Sequence, residues 1–118
     1  VANPAHAISV AGGAYCDGAS WVNASSRELK RDIAVLESAD YSEVLDDLAS
    51  TDVVHYRHRP RPEDVHIGLI AEDAPAAITT PARDGINTGD AIGFLFAALK
   101  AQQERLVALE AELAAVRR

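Results

Sequence analysis

Apolar and polar residues alternate in three different ways along the chain. In residues 1–24 the apolar alternation is short, as in Ile8–Val10, and lies among glycines, which predicts loop with one or two short strands. Residues 25–90 combine short apolar runs of helical and of strand spacing, which predicts a small mixed domain. In residues 91–118 the apolar residues recur at intervals of three and four, which predicts a long helix.

The middle part predicts one helix and a hairpin. Asp40–Glu43 has the spacing of a capping box ahead of an apolar run, so we expect a short helix near 42–50. Val53–Arg57 and His66–Ala71 have the composition of strands, and the proline-rich segment Arg59–Pro62 separates them. Two such runs joined by a turn-forming segment predict a β-hairpin.

The C-terminal helix carries a heptad pattern that predicts self-association. Arg105 with Glu110, and Glu112 with Arg117, take g and e positions, which pair between neighbouring helices of a parallel coiled coil. The pattern leaves dimer and trimer open, and the alternative is a single amphipathic helix on its own domain. The a and d positions, which we expect at the interface, are Ile92, Leu95, Leu99, Gln102, Leu106, Leu109, Leu113 and Val116.

Composition excludes several classes of protein. At 118 residues the chain fits one small domain, and its net charge of -7 argues against a nucleic-acid partner. A single cysteine, Cys16, allows no internal disulfide, and no apolar run is long enough to span a bilayer. His55 and His58 are expected on opposite faces of a strand, so we predict no metal site there. Since the chain begins at Val1 without a methionine, we expect it to be part of a longer protein.

Ser25 and Lys30 are the candidate chemistry. A neutral lysine can remove the proton of a serine hydroxyl and so turn it into a nucleophile. Positions five apart lie about 140° apart on a helix and on opposite faces of a strand. The pair therefore requires a bend after Ser25 or a neighbouring chain. The alternative is structural, because Ser25 and Glu28 also have the spacing of a capping box.

Three segments resemble a known family when they are taken together. Asn23–Ile33 is similar to the signature of the intramolecular chaperone auto-processing domain that ends phage endosialidase tail spikes and many tail fibres. His66–Asp73 resembles the second landmark of that domain, and the helix Ala91–Arg118 resembles its coiled-coil ending. The three landmarks occur in the order of the family and cover roughly residues 20–118.

The resemblance implies an α+β fold followed by a trimeric parallel coiled coil, and a self-cleaving serine peptidase. In the family, the domain trimerises, helps an upstream fibrous segment to fold and then cuts itself off. Carried over by position, Ser25 is the nucleophile, Lys30 the general base and Ala24–Ser25 the scissile bond. Asn23, Ser26 and His66 are possible supporting residues, and Ser26 stands where endosialidase members typically carry Asp or Asn.

The resemblance also implies partners and a setting. The partners are two further copies of the chain, forming a homotrimer, and the upstream fibre or spike segment, of which residues 1–24 would be the released end. No cofactor, metal, nucleic acid or membrane is expected. Assembly would take place in the bacterial cytoplasm, and the released product would be on the virion tail. The alternative is a trimerisation and registration module that does not cut and stays attached to the fibre.

Overall fold

The computed structural model of the chain describes residues 6–117 and divides the chain into two compact units, Val1–Val35 and Leu36–Arg118. The first unit contains a small antiparallel meander. Its strands pair in the order β1–β2–β3, so the prediction of one or two strands falls short by one. The strands are β1 (Ile8–Ser9), β2 (Tyr15–Cys16) and β3 (Trp21–Val22).

Glycines and one aspartate form the turns of the meander. Gly13 has φ 103° between β1 and β2, and Gly18 has φ 100° between β2 and β3. Residues with a Cβ rarely adopt such positive φ angles. Asp17 Oδ1 accepts hydrogen bonds from the backbone N–H groups of Ala19 and Ser20, each at 2.8 Å. These bonds lower the pKa of Asp17 below its ordinary value, and the bond from Ser20 has the larger effect.

The second unit is a mixed α+β domain with a long C-terminal helix, as predicted. Two single 3-10 turns, Ala71–Asp73 and Ala76–Ile78, link its hairpin to that helix. The regular elements are α1 (Ser38–Ser50), β4 (Val54–His58), β5 (Arg61–Gly68) and α2 (Thr88–Val116).

The predicted helix near 42–50 exists but begins earlier, at Ser38. Its capping box is formed by Glu37 and Asp40, so the predicted box at Asp40–Glu43 is wrong. Asp40 has the role of the third helical residue rather than of the cap, because its carboxylate accepts a hydrogen bond from the Glu37 backbone N–H at 2.8 Å.

The hairpin prediction is confirmed, with β4 and β5 antiparallel and Tyr56 opposite His66. β5 begins at Arg61, ahead of the predicted start, because the turn occupies residues 59–60 alone. Pro62 is tolerated within β5 because a two-stranded sheet leaves each strand with a free edge. A Cβ on Gly68 would lie 3.2 Å from Tyr56 Cε1, so glycine leaves room for the tyrosine ring.

The long helix packs on the rest of its unit through small residues. α2 contacts α1 and the Ala76–Ile78 turn, where Ile78 is buried. The buried residues of α2 are Ala97, Ala98 and Ala101. The predicted a and d positions lie on a different face of α2 from these alanines. Each apolar residue at those positions is at least 49% exposed in the single chain. No helix among the described residues has the length and apolar character needed to cross a bilayer.

Candidate active site

Ser25 and Lys30 meet across a single 3-10 turn, Arg27–Leu29. Lys30 Nζ donates a hydrogen bond to Ser25 Oγ at 2.6 Å. The spacing of five residues requires a bend for such a contact, and the 3-10 turn is that bend. The serine–lysine pair is therefore formed within one chain, by six consecutive residues of the first unit.

The turn is capped by Ser26. Its backbone is extended, with φ -62° and ψ 144°, and its Oγ accepts a hydrogen bond from the Glu28 backbone N–H at 3.3 Å. The alternative in which Ser25 is the cap and Glu28 the third helical residue is wrong, because the cap lies one residue later. The hydroxyl of Ser25 is consequently not engaged in capping and faces the amine of Lys30.

Two backbone hydrogen bonds close the turn. The Leu29 N–H donates to the Ser26 carbonyl at 3.0 Å, and the Lys30 N–H donates to the Arg27 carbonyl at 3.1 Å. Lys30 then returns to extended backbone, with φ -116° and ψ 151°. Two residues later Asp32 has φ 54°, a left-handed conformation that aspartate tolerates better than most residues. The pair therefore flanks one change of chain direction, and a second change follows it at Asp32.

The pair is open to solvent in the single chain, since Ser25 and Lys30 are both exposed. In the recorded contact the amine is the donor. Base catalysis needs the reverse arrangement, in which a neutral amine accepts the proton of Ser25 Oγ–H.

Ala24, on the N-terminal side of the predicted scissile bond, lies beside a turn of the meander. An ideal Cβ on Gly13 would lie 3.2 Å from Ala24 Cβ, so Ala24 rests against the backbone of the β1–β2 turn. Asn23 is exposed, and no side-chain hydrogen bond of Asn23 occurs within residues 6–117. The sequence did not predict that Gly13 lies beside Ala24. The Gly12–Gly13 pair indicates a turn but does not indicate which residue the turn contacts.

His66 lies in β5 of the second unit, beside two other aromatic rings. Its ring centroid is 5.5 Å from that of Tyr56 and 5.1 Å from that of His58. His58 thus shares a face of the hairpin with His66, a proximity that the sequence did not predict. Within residues 6–117 no three His, Cys, Asp or Glu side chains are close enough together to hold a metal ion. Cys16 is a free, partly exposed thiol.

Comparison with known families gives one match. Residues 25–81, just under half of the chain, match the family model described as chaperone of endosialidase, a family that also has the peptidase name S74. The matched segment begins at Ser25 and contains both the serine–lysine pair and the His66–Asp73 landmark, so the resemblance to this family is confirmed for those two segments. The match does not extend to the helix Ala91–Arg118. No curated protein and no solved structure matches the chain.

Proposed function

We propose, from the match of residues 25–81 to the chaperone-of-endosialidase family, that this chain is an intramolecular chaperone that trimerises, assists an upstream fibre or spike to fold, and then cuts itself off between Ala24 and Ser25. The observation that carries the cleavage is the 2.6 Å contact between Lys30 Nζ and Ser25 Oγ. The reaction is a single-turnover serine peptidase reaction on the chain's own backbone.

The reaction begins with transfer of the Ser25 Oγ–H proton to the neutral amine of Lys30. The Oγ then attacks the carbonyl carbon of Ala24, and an Oγ–C bond forms as the Ala24–Ser25 C–N bond breaks. Lys30 returns the proton to the departing Ser25 nitrogen. Water hydrolyses the resulting ester, which leaves a carboxylate on Ala24 and restores the hydroxyl of Ser25.

The contact within one chain supports cleavage in cis. The nucleophile belongs to the residue that follows the scissile bond, so attack in cis passes through a five-membered ring and shifts the acyl group from nitrogen to oxygen of Ser25. Lys30 Nζ, the proposed base, lies 2.6 Å from that oxygen across the Arg27–Leu29 turn, which supports this route. Positioning a base in this way converts an encounter into an intramolecular step.

Exposure of the pair supports a link between cleavage and assembly. A lysine is a base only when neutral, a state that burial or neighbouring positive charge favours. Ser25 and Lys30 are exposed in the single chain, so we infer that the assembled trimer covers them. Cutting would then follow correct assembly rather than precede it.

The exposed stripe of α2 supports the trimer. Each of its apolar a and d residues is at least 49% exposed in the single chain, whereas the buried residues of the helix are alanines. A heptad stripe of this length is satisfied by equivalent stripes of further copies. The choice of three copies rests on the family resemblance, because the spacing alone permits two.

The test is the intact mass of the purified 118-residue chain beside that of its Ser25→Ala variant. We expect the wild type to lose residues 1–24 and Ser25→Ala to remain whole. Ser20→Ala, which removes another exposed hydroxyl of the same unit, is the matched control and should be cut like the wild type. If the wild type assembles and stays whole, the peptidase proposal is wrong and the alternative, a trimerisation module that does not cut, is favoured.

A further inference from the structure

We propose that Ser26 is a positioning residue for the cleavage reaction: its side chain caps the turn that folds Lys30 onto Ser25. This inference rests on the proposed self-cleavage. It assigns Ser26 no contact with the reacting atoms, since its Oγ accepts a hydrogen bond from the Glu28 backbone N–H.

The turn has little else to hold it. It spans three residues, Arg27–Leu29, and none of them is buried, so packing against a core does not stabilise it. Short 3-10 turns have poor hydrogen-bond geometry, and an isolated turn of this length is marginal in water. Within residues 6–117, two side-chain hydrogen bonds involve residues 25–30: the Lys30–Ser25 contact itself and the Ser26 cap.

Loss of the cap would separate the pair. Without the Ser26 acceptor the Glu28 N–H has no partner at the start of the turn, and the backbone of residues 26–30 gains other conformations. On regular helix or strand backbone, positions five apart do not face one another. The fraction of chains with Lys30 Nζ on Ser25 Oγ therefore falls, and the cleavage rate falls with it.

Capping and hydroxyl chemistry predict different orders of substitution. As an N-cap, serine is equivalent to aspartate and asparagine, glycine is nearly as good, and alanine is poor. If the Ser26 side chain acted on the reaction itself, then glycine and alanine, which have no polar side-chain atom, would fail equally. A higher rate for Ser26→Gly than for Ser26→Ala thus separates the positioning role from a chemical one.

The experiment follows cleavage of pulse-labelled 118-residue chains made by cell-free synthesis. We expect Ser26→Ala to slow appearance of the 25–118 fragment by on the order of tenfold, as loss of a cap would. Ser26→Asp and Ser26→Asn should cut at close to the wild-type rate, and Ser26→Gly slightly more slowly. Equal rates for Ser26→Ala and wild type, or failure of both Asp and Asn to restore the rate, would overturn the proposal.

A second measurement is independent of cleavage. All chains in this measurement carry Ser25→Ala, so none is cut. Amide hydrogen exchange at Glu28 should be faster with Ser26→Ala than with Ser26 retained, and Ser26→Asp should restore the slower exchange. Exchange that does not respond to residue 26 would sink the capping role even if the chain is cut. Failure of the wild type to cut at all is a failure of the proposed function, and the exchange result then still decides whether Ser26 is the cap.

Discussion

The amine of Lys30 lies 2.6 Å from the hydroxyl of Ser25, five residues back along the same chain. One 3-10 turn is enough to produce this contact. Because the turn is local, the contact between Ser25 and Lys30 is formed by residues of the first unit alone. Under the proposed function, assembly would serve to exclude water from the pair rather than to bring it together.

Replacement of Lys30 separates its charge from its basicity. We expect Lys30→Met and Lys30→Arg both to slow cutting by on the order of 10²–10⁴-fold, the usual contribution of a general base. Arginine keeps the positive charge but does not give up its proton in proteins, so it is no substitute. The measurement is the time course of the 25–118 fragment by mass spectrometry. Lys100→Met, which alters an exposed lysine of α2, is the control and should leave the rate unchanged.

Hydroxylamine should trap the ester on Ser25. If the acyl group moves to Oγ before water attacks, then hydroxylamine present during cutting will leave a hydroxamate on Ala24 in place of a carboxylate. The mass of the released 1–24 peptide reports which group is present. A peptide that carries carboxylate alone at every hydroxylamine concentration would contradict the acyl shift.

A charge in the α2 stripe should break the trimer. Leu109 at a d position is 59% exposed in the single chain, and Val107, at a b position, is 56% exposed. Leu109→Asp would place a carboxylate in the interface, whereas Val107→Asp would place one in solvent. By sedimentation equilibrium we expect monomer for Leu109→Asp and trimer for Val107→Asp. Similar behaviour of the two variants would count against the heptad assignment.

The Asp17 turn should loosen at low pH. Backbone hydrogen bonds from Ser20 and Ala19 hold the pKa of Asp17 below 3.8, so the bonds stabilise the turn fully above that pH. The stabilisation is lost as pH falls through the lowered pKa and the carboxylate is protonated. A carboxyl titration by NMR should give a midpoint for Asp17 below 3.8. Asp17→Ala should speed amide exchange at Ala19 and Ser20 at neutral pH, and Asp17→Asn, which keeps an acceptor oxygen, should speed it less.

Much of the second unit could be predicted from local pattern. The hairpin and the long helix follow from alternation and heptad spacing, which are the side-chain periodicities of regular strand and helix backbone. The start of α1 was wrong because two acidic residues, Glu37 and Asp40, form a capping box that lies ahead of the apolar run. The start of β5 was wrong because Pro62 reads as a break, yet an edge strand accepts it.

At the site, the residue types are evident in the sequence and their partners are not. Ser25 and Lys30 could be singled out, but adjacent serines at 25 and 26 have similar capping propensity, and the backbone angles of residue 26 decide that it is the cap. The contact of Ala24 with Gly13 depends on how the meander turns back, which no spacing records.

The sequence by itself determined the long helix with its apolar stripe, the hairpin, and the pair of residues suited to acyl chemistry. These follow from periodicity and from residue chemistry, both of which are local properties. Only the folded structure decided which face of α2 its own unit buries, since the buried residues there are alanines and each apolar residue of the heptad stripe is at least 49% exposed. It also decided that Lys30 reaches Ser25, because the contact depends on the dihedral angles of a single turn and on the side chain that caps it.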